Sequence, residues 1–166
     1  MALSAFESQF ADALVKAETP GSQTAAEAAQ KFADAYINFF AKAQVNFTSA
    51  NMAILQSPAA VSALVGGLTS AFEATGGPSA VCDLMEAAFF AYWNAGPIQA
   101  MFTTTPTIAS IAPGGPLSSN MSSISSPDPS QNSAKAKVAA AISLWMTTQP
   151  TIAMTPPPPG VTTKFT

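Results

Sequence analysis

The chain has 166 residues, enough for one domain with extensions, and 48% of them are hydrophobic, so a core can form. Only 9% are charged, against about 25% in ordinary globular domains. Six Lys and Arg against nine Asp and Glu leave a net charge of −3, with no run of either sign, and this excludes a phosphate-tracking basic stripe and with it nucleic-acid binding.

Leu3, Phe6, Phe10, Ala13, Leu14 and Ala17 fall at helical spacing and predict a first amphipathic helix that stops near Thr19-Pro20-Gly21. Thr24-Ala25-Ala26-Glu27 reads as a capping box, in which hydroxyl and carboxylate satisfy amides that the first helical turn leaves without partners. Phe32, Tyr36, Phe39, Phe40, Ala43 and Phe47 continue that helix as an aromatic stripe, with Phe32, Phe39 and Phe40 expected in the core. A break at Gln56-Ser57-Pro58 precedes a short apolar helix that runs to about Thr75 and is weakened by Gly66-Gly67. Gly76-Gly77-Pro78 opens the next helix, whose expected face is Val81, Leu84, Met85, Ala88, Phe89 and Tyr92, with Phe90 and Trp93 off it. Leu84, Phe89 and Trp145 complete the expected core.

From Gly96 to Pro129 the chain is rich in Pro, Gly, Ser and Thr, a composition that does not sustain helix. Ser133 opens a last helix with Val138, Ala141, Ile142 and Trp145 on one face, ending before Pro150. The four prolines from Pro156 to Pro159 favour a stiff polyproline II segment. The expected organisation is all-α: a small helical bundle in 1–95, an extended Pro/Gly/Ser/Thr-rich arm in 96–132, a helix packing on the core in 133–148, and an extended arm in 149–166. The longest apolar run, Ala87 to Trp93, is far short of the ~20 residues that span a bilayer. Met1 to Glu7 lacks a basic stretch followed by an apolar one, so no secretion signal is expected.

One short segment occurs twice. Thr103-Thr104-Thr105-Pro106-Thr107-Ile108-Ala109 and Thr147-Thr148-Gln149-Pro150-Thr151-Ile152-Ala153 differ at one position of seven, and each follows a helix carrying a tryptophan near its end. The reading is a helix, an aromatic anchor (Trp93 or Trp145) and an extended arm, used twice. Thr103, Pro106, Ile108 and Ile111 represent the first arm, and Thr147, Pro150, Ile152, Pro157, Pro158, Val161 and Phe165 the second. These arms are expected to be interaction elements: proline-stiffened chain loses less entropy on docking, and alternating Thr and Ile suit a neighbouring sheet edge. On that reading, deleting Thr155 to Thr166 spares the melting temperature and abolishes incorporation into an assembly.

No chemistry is legible. There is no histidine and one cysteine, Cys82, which removes the commonest general base, the usual zinc sites and any Ser-His-Asp arrangement. Cys82 reads as a small buried hydrophobe. Asp83 and Glu86 lie three apart on one helix and read as a solvated stripe. Gly66-Gly67, Gly76-Gly77 and Gly114-Gly115 are not followed by the Lys-Ser/Thr of a phosphate loop. No enzymatic activity, catalytic residue, metal or cofactor is expected.

The Ala/Phe-rich helices at Ala25 to Phe47 and Val81 to Trp93, and the Trp-to-Pro transition from Trp145 to Pro159-Gly160, resemble small structural proteins of tailed bacteriophages and related contractile particles. That resemblance implies a non-catalytic virion protein of the tail, baseplate or neck, assembled in the host cytoplasm and partnered by other virion or assembly subunits in homo- and hetero-oligomers. The other expectations are a capsid decoration or cement protein, a secreted helical interaction protein of a bacterial secretion system, and a helical bundle binding a ligand along the Phe stripe. The low charge agrees with a surface partly covered by neighbouring subunits.

Overall fold

A computed structural model describes residues 2–17, 21–22, 24–47, 50–55, 58–95, 99–100, 107–122, 131–155 and 163–166. The chain is mostly helical. A 3-10 turn at Leu3–Phe6 leads into α1 (Glu7–Ala17) and then α2 (Ala25–Phe40). Strands β1 (Gln44–Phe47) and β2 (Ala50–Leu55) follow. A second 3-10 turn, Pro58–Ala60, opens α3 (Val61–Glu73), and α4 (Gly77–Asn94) comes next. Strands β3 (Gln99–Ala100) and β4 (Thr107–Ala112), helices α5 (Leu117–Met121) and α6 (Gln131–Thr148), and strand β5 (Thr151–Thr155) complete the order. The described strands form two antiparallel sheets, β1-β2-β3 and β4-β5.

Local chemistry explains several boundaries. The Glu27 amide donates to Thr24 Oγ1 at 3.1 Å, which starts α2 where the capping box predicts. Gly77 has φ 85°, a left-handed conformation that glycine adopts freely, and Pro78 follows it in the first turn of α4. Helix α3 runs through both glycines of Gly66-Gly67. A Cβ built on Gly67 would lie 2.6 Å from Ala88 Cβ, so the missing side chain lets α3 and α4 approach closely.

Two expectations need correction. Helix α2 ends at Phe40, and Phe47 lies in β1. Helical period continues in the sequence, but Ala43 N donates to Phe40 O at 2.9 Å, closing a tight last turn, and Gln44 then pairs with Thr166. On α4, Leu84 is 38% exposed while Trp93 is 1% exposed. The buried stripe is Met85, Ala88, Phe89, Tyr92 and Trp93, whose spacing places Trp93 one turn beyond Phe89 on the same face. The strands are few and short beside the helices, consistent with the all-α class. No helix among the described residues is long and apolar enough to cross a membrane.

The core is one cluster. Phe10 and Leu14 of α1, Tyr36, Phe39 and Phe40 of α2, Leu64 and Leu68 of α3, Phe89, Tyr92 and Trp93 of α4, and Ile142, Trp145 and Met146 of α6 are all buried in it. Phe32 packs at its edge, partly buried.

Candidate functional site

The centre of the core is aromatic. Trp93 and Trp145 stack with ring centroids 5.4 Å apart and an interplanar angle of 21°. Tyr36 stacks on Phe89 at 4.4 Å. Trp93 Nε1 donates to Tyr36 Oη at 3.0 Å, and Tyr36 Oη donates to Met146 Sδ at 3.7 Å. Helices α2, α4 and α6 are thus joined through one buried polar chain. Tyr92 Oη is buried without a hydrogen-bond partner.

Burial pushes the Tyr36 phenol well above its usual value, the neighbouring Tyr92 adds to the rise, and the bond from Trp93 opposes it. Burial raises the Tyr92 phenol as well. In the unfolded chain both deprotonate near the ordinary value of about 10. Above that pH the unfolded state therefore binds fewer protons than the folded state, and stability falls as pH rises toward the folded values. The urea midpoint is expected to hold to about pH 9 and to drop by about pH 11, tyrosinate absorbance appearing together with loss of the helical signal. Tyrosinate that forms while helicity is retained would contradict the burial of these phenols.

Two clips close over this centre. The first is the Pro113-Gly114-Gly115-Pro116 segment, which lies against the end of α6. Gly115 N donates to Gln149 Oε1 at 2.7 Å, and Trp145 Nε1 donates to Gly115 O at 2.9 Å. Asn94, at the end of α4, binds the backbone of Ile111 both ways: its Nδ2 donates to Ile111 O at 3.2 Å, and its Oδ1 accepts from Ile111 N at 3.1 Å. Glu86 Oε2 accepts from Leu117 N at 2.8 Å.

The second clip is a short strap, residues 163–166. Gln44 N donates to Thr166 O at 2.9 Å and Thr166 N to Gln44 O at 2.8 Å, while Phe165 bridges to Val45. On its other side Thr163 bridges antiparallel to Ile152, whose N donates to Thr163 O at 3.0 Å. The strap therefore joins one sheet to the other. Its Phe165 is 1% exposed and enters a slot between Phe40, at 5.3 Å, and Trp93, at 5.2 Å. Lys164 Nζ donates to the carbonyls of Thr148 and Gln149 at the end of α6, where the helix dipole favours a cation. Compared with family models, with characterised proteins and with solved structures, the chain matches none.

The residues read from sequence as arms fall into three groups. Ile111, Pro150, Ile152 and Phe165 are buried within this chain, and Ile111 pairs with Ile152 across β4 and β5. Ile108 lies in β4, opposite Met154, and the Thr147 hydroxyl donates back to the α6 carbonyls of Ser143 and Leu144. Thr103, Pro106, Pro157, Pro158 and Val161 lie outside the described residues. Both anchors, Trp93 and Trp145, sit at the aromatic centre. The two copies of the repeated segment thus contribute Thr107 to Ala109 and Thr151 to Ala153 to strands that pair with each other.

Away from the slot, a cavity of about 580 Å³ opens between the helices, lined by Leu14, Phe32, Phe72, Met85, Met121 and Val138, with Lys31 and Lys135 among its walls. Phe32 is the one member of the expected aromatic stripe that borders it. Lys31 pairs with Glu27 at 2.9 Å. Burial, then Asp83 and Glu86, raise the Cys82 thiol above its usual value, which disfavours the nucleophilic thiolate. No group of three or more His, Cys, Asp or Glu side chains that could hold a metal is found among the described residues.

Proposed function

We propose that the chain is a non-catalytic structural subunit of a bacteriophage virion, of the tail, baseplate or neck, which holds neighbouring subunits through its helical core and its extended Pro/Thr-rich arms. The observation that carries this reading is the strap in its slot. An aromatic plug and a short two-sided backbone ladder seat a brief segment that a proline run joins to the rest of the chain. Such a slot is a general device for gripping an extended segment, whichever chain supplies it. Two further features support assembly: the sequence is 9% charged, and Leu84 and Leu144 stand 38% and 53% exposed on helices. Mass spectrometry of purified particles from the host that carries this sequence tests the proposal. The protein should be found at constant stoichiometry with the tail proteins. Its absence from purified particles, together with a monomeric state in the lysate, would contradict the proposal. Its presence in tailless heads would point to a capsid decoration or cement role. Recovery from culture medium without particles would favour a secreted interaction protein.

The cavity favours a second reading, a helical module that takes up a small apolar ligand. Its walls are largely apolar, with Leu14, Phe32, Phe72 and Met85 among them. Saturable displacement of a fluorescent fatty acid, lost on filling the cavity with Ala28→Trp, would support this reading over the first.

A further inference from the structure

We propose that the cavity between the helices takes up a neutral molecule of two fused aromatic rings with one hydrogen-bonding group. Phe32, Phe72, Met85 and Met121 hold its rings, and Ser22 holds its polar group. This deepens the cavity reading and rests on it.

The cavity measures about 580 Å³, within the roughly 300–1,000 Å³ of ordinary small-molecule sites. A dry apolar cavity of about 150 Å³ already holds benzene, so the space admits two fused rings.

Its lining favours rings over chains. Phe32 and Phe72 meet edge to face, with centroids 5.8 Å apart and an interplanar angle of 77°. Phe32 meets Phe10 of the core in the same manner, at 6.3 Å and 78°. Phe32, Phe72 and Met121 pack against the core yet stay only partly buried. Each of them borders the cavity, as does Met85. An aromatic ligand there continues the edge-to-face series and lies beside two thioethers. Ring pairs and sulfur–ring contacts add to the energy of area burial, whereas an alkyl chain gains neither. Charge on the ligand has no role, because neither lysine on the walls is free. Lys31 pairs with Glu27 at 2.9 Å, and Lys135 has a partner of its own.

Ser22 supplies the polar end. It lines the cavity, and its Oγ is buried without a hydrogen-bond partner. Buried hydroxyls are normally paired, so an orphan at a cavity wall is a group that a ligand can satisfy. A serine hydroxyl turns among staggered positions without moving the backbone, which lets it meet the ligand's polar atom. Thr24, the other hydroxyl residue of the wall, already accepts from the Glu27 amide.

Equilibrium dialysis of the full-length chain at neutral pH, against 1-naphthol, naphthalene or 1-octanol, tests the assignment. Octanol carries the same polar group on an alkyl chain. Naphthol should bind saturably at one site, about tenfold tighter than octanol. Ser22→Ala should weaken naphthol about fivefold, the worth of one hydrogen bond, and leave naphthalene within about twofold. Phe72→Leu, a mild change in a partly buried side chain, should weaken naphthol about fivefold and leave octanol within about twofold. Octanol binding as tightly as naphthol would overturn the aromatic ligand while upholding an apolar cavity. Equal losses for naphthol and naphthalene in Ser22→Ala would overturn the role of Ser22. Saturable binding by none of the three would sink the cavity reading itself.

Discussion

Trp93→Ala should leave the chain at or near the limit of folding. Trp93 is 1% exposed and touches Phe40, Phe89, Phe90, Trp145 and Phe165 through its ring. Removing a buried tryptophan of this kind costs about 3–5 kcal/mol, out of a total of about 5–15 kcal/mol for an ordinary domain. The change also removes the donor to Tyr36 Oη, although Met146 Sδ still accepts from that hydroxyl. Trp93→Phe keeps one aromatic ring but loses the indole N–H and the volume of the second ring, so it should cost less than the alanine change, about 1–3 kcal/mol. Urea unfolding checks both variants through the shift in midpoint at unchanged slope. A loss below about 1 kcal/mol for Trp93→Ala would mean that the aromatic centre is not packed as described.

Gly114→Ala should be nearly as damaging, although it adds only one methyl group. A Cβ there would lie 2.0 Å from the Gln149 carbonyl oxygen, 2.6 Å from its carbonyl carbon and 2.9 Å from its Cα. All three are backbone atoms at the end of α6, so no side chain can swing aside. Either the turn or the helix end must move, and with it the bonds from Gly115 N to Gln149 and from Trp145 Nε1 to Gly115 O. A cost of about 3 kcal/mol or more is expected, at the upper end for overpacking. Gly66→Ala is the control: its Cβ meets nothing within 4 Å inside α3, and alanine there should stabilise by about 0.5–1 kcal/mol. Thermal unfolding of the pair should give shifts of opposite sign, and equal shifts would refute the close approach at Gly114.

Local signals read well from the sequence wherever local chemistry decides. Thr24 and Glu27 mark the start of α2, Pro58 the turn before α3, and Gly76-Gly77-Pro78 the start of α4. Long-range pairing was not legible. The stripe from Phe32 to Phe47 keeps helical period, yet the chain leaves the helix after Phe40 because Gln44 and Val45 pair with a strap whose residues come at the far end of the sequence. On α4 the apolar residues outnumber those of one face, so the sequence allowed Leu84 in the core and set Trp93 off the main face, whereas packing against Trp145 and Phe165 puts Trp93 at the centre and leaves Leu84 outside. The Thr/Ile alternation of the repeated segments was a true strand signal. Its partner could not be read, because alternation specifies an edge but not the chain that meets it, and here the strand that one copy begins pairs with the strand that the other begins, Thr107 and Ile108 facing Thr155 and Met154.

The sequence reading expected a second arm whose loss leaves the melting temperature unchanged. The burial of Phe165 changes that expectation and supplies the most direct test of the strap as a replaceable plug. Thermal melting of a chain lacking Thr163 to Thr166 should show a fall of about 10 °C, as loss of a buried phenylalanine implies for a domain of this size. Adding a peptide of the sequence Thr155 to Thr166 should restore most of it in a saturable manner. A truncated chain that melts with the full-length protein, or one that the peptide leaves unchanged at any concentration, would contradict the account.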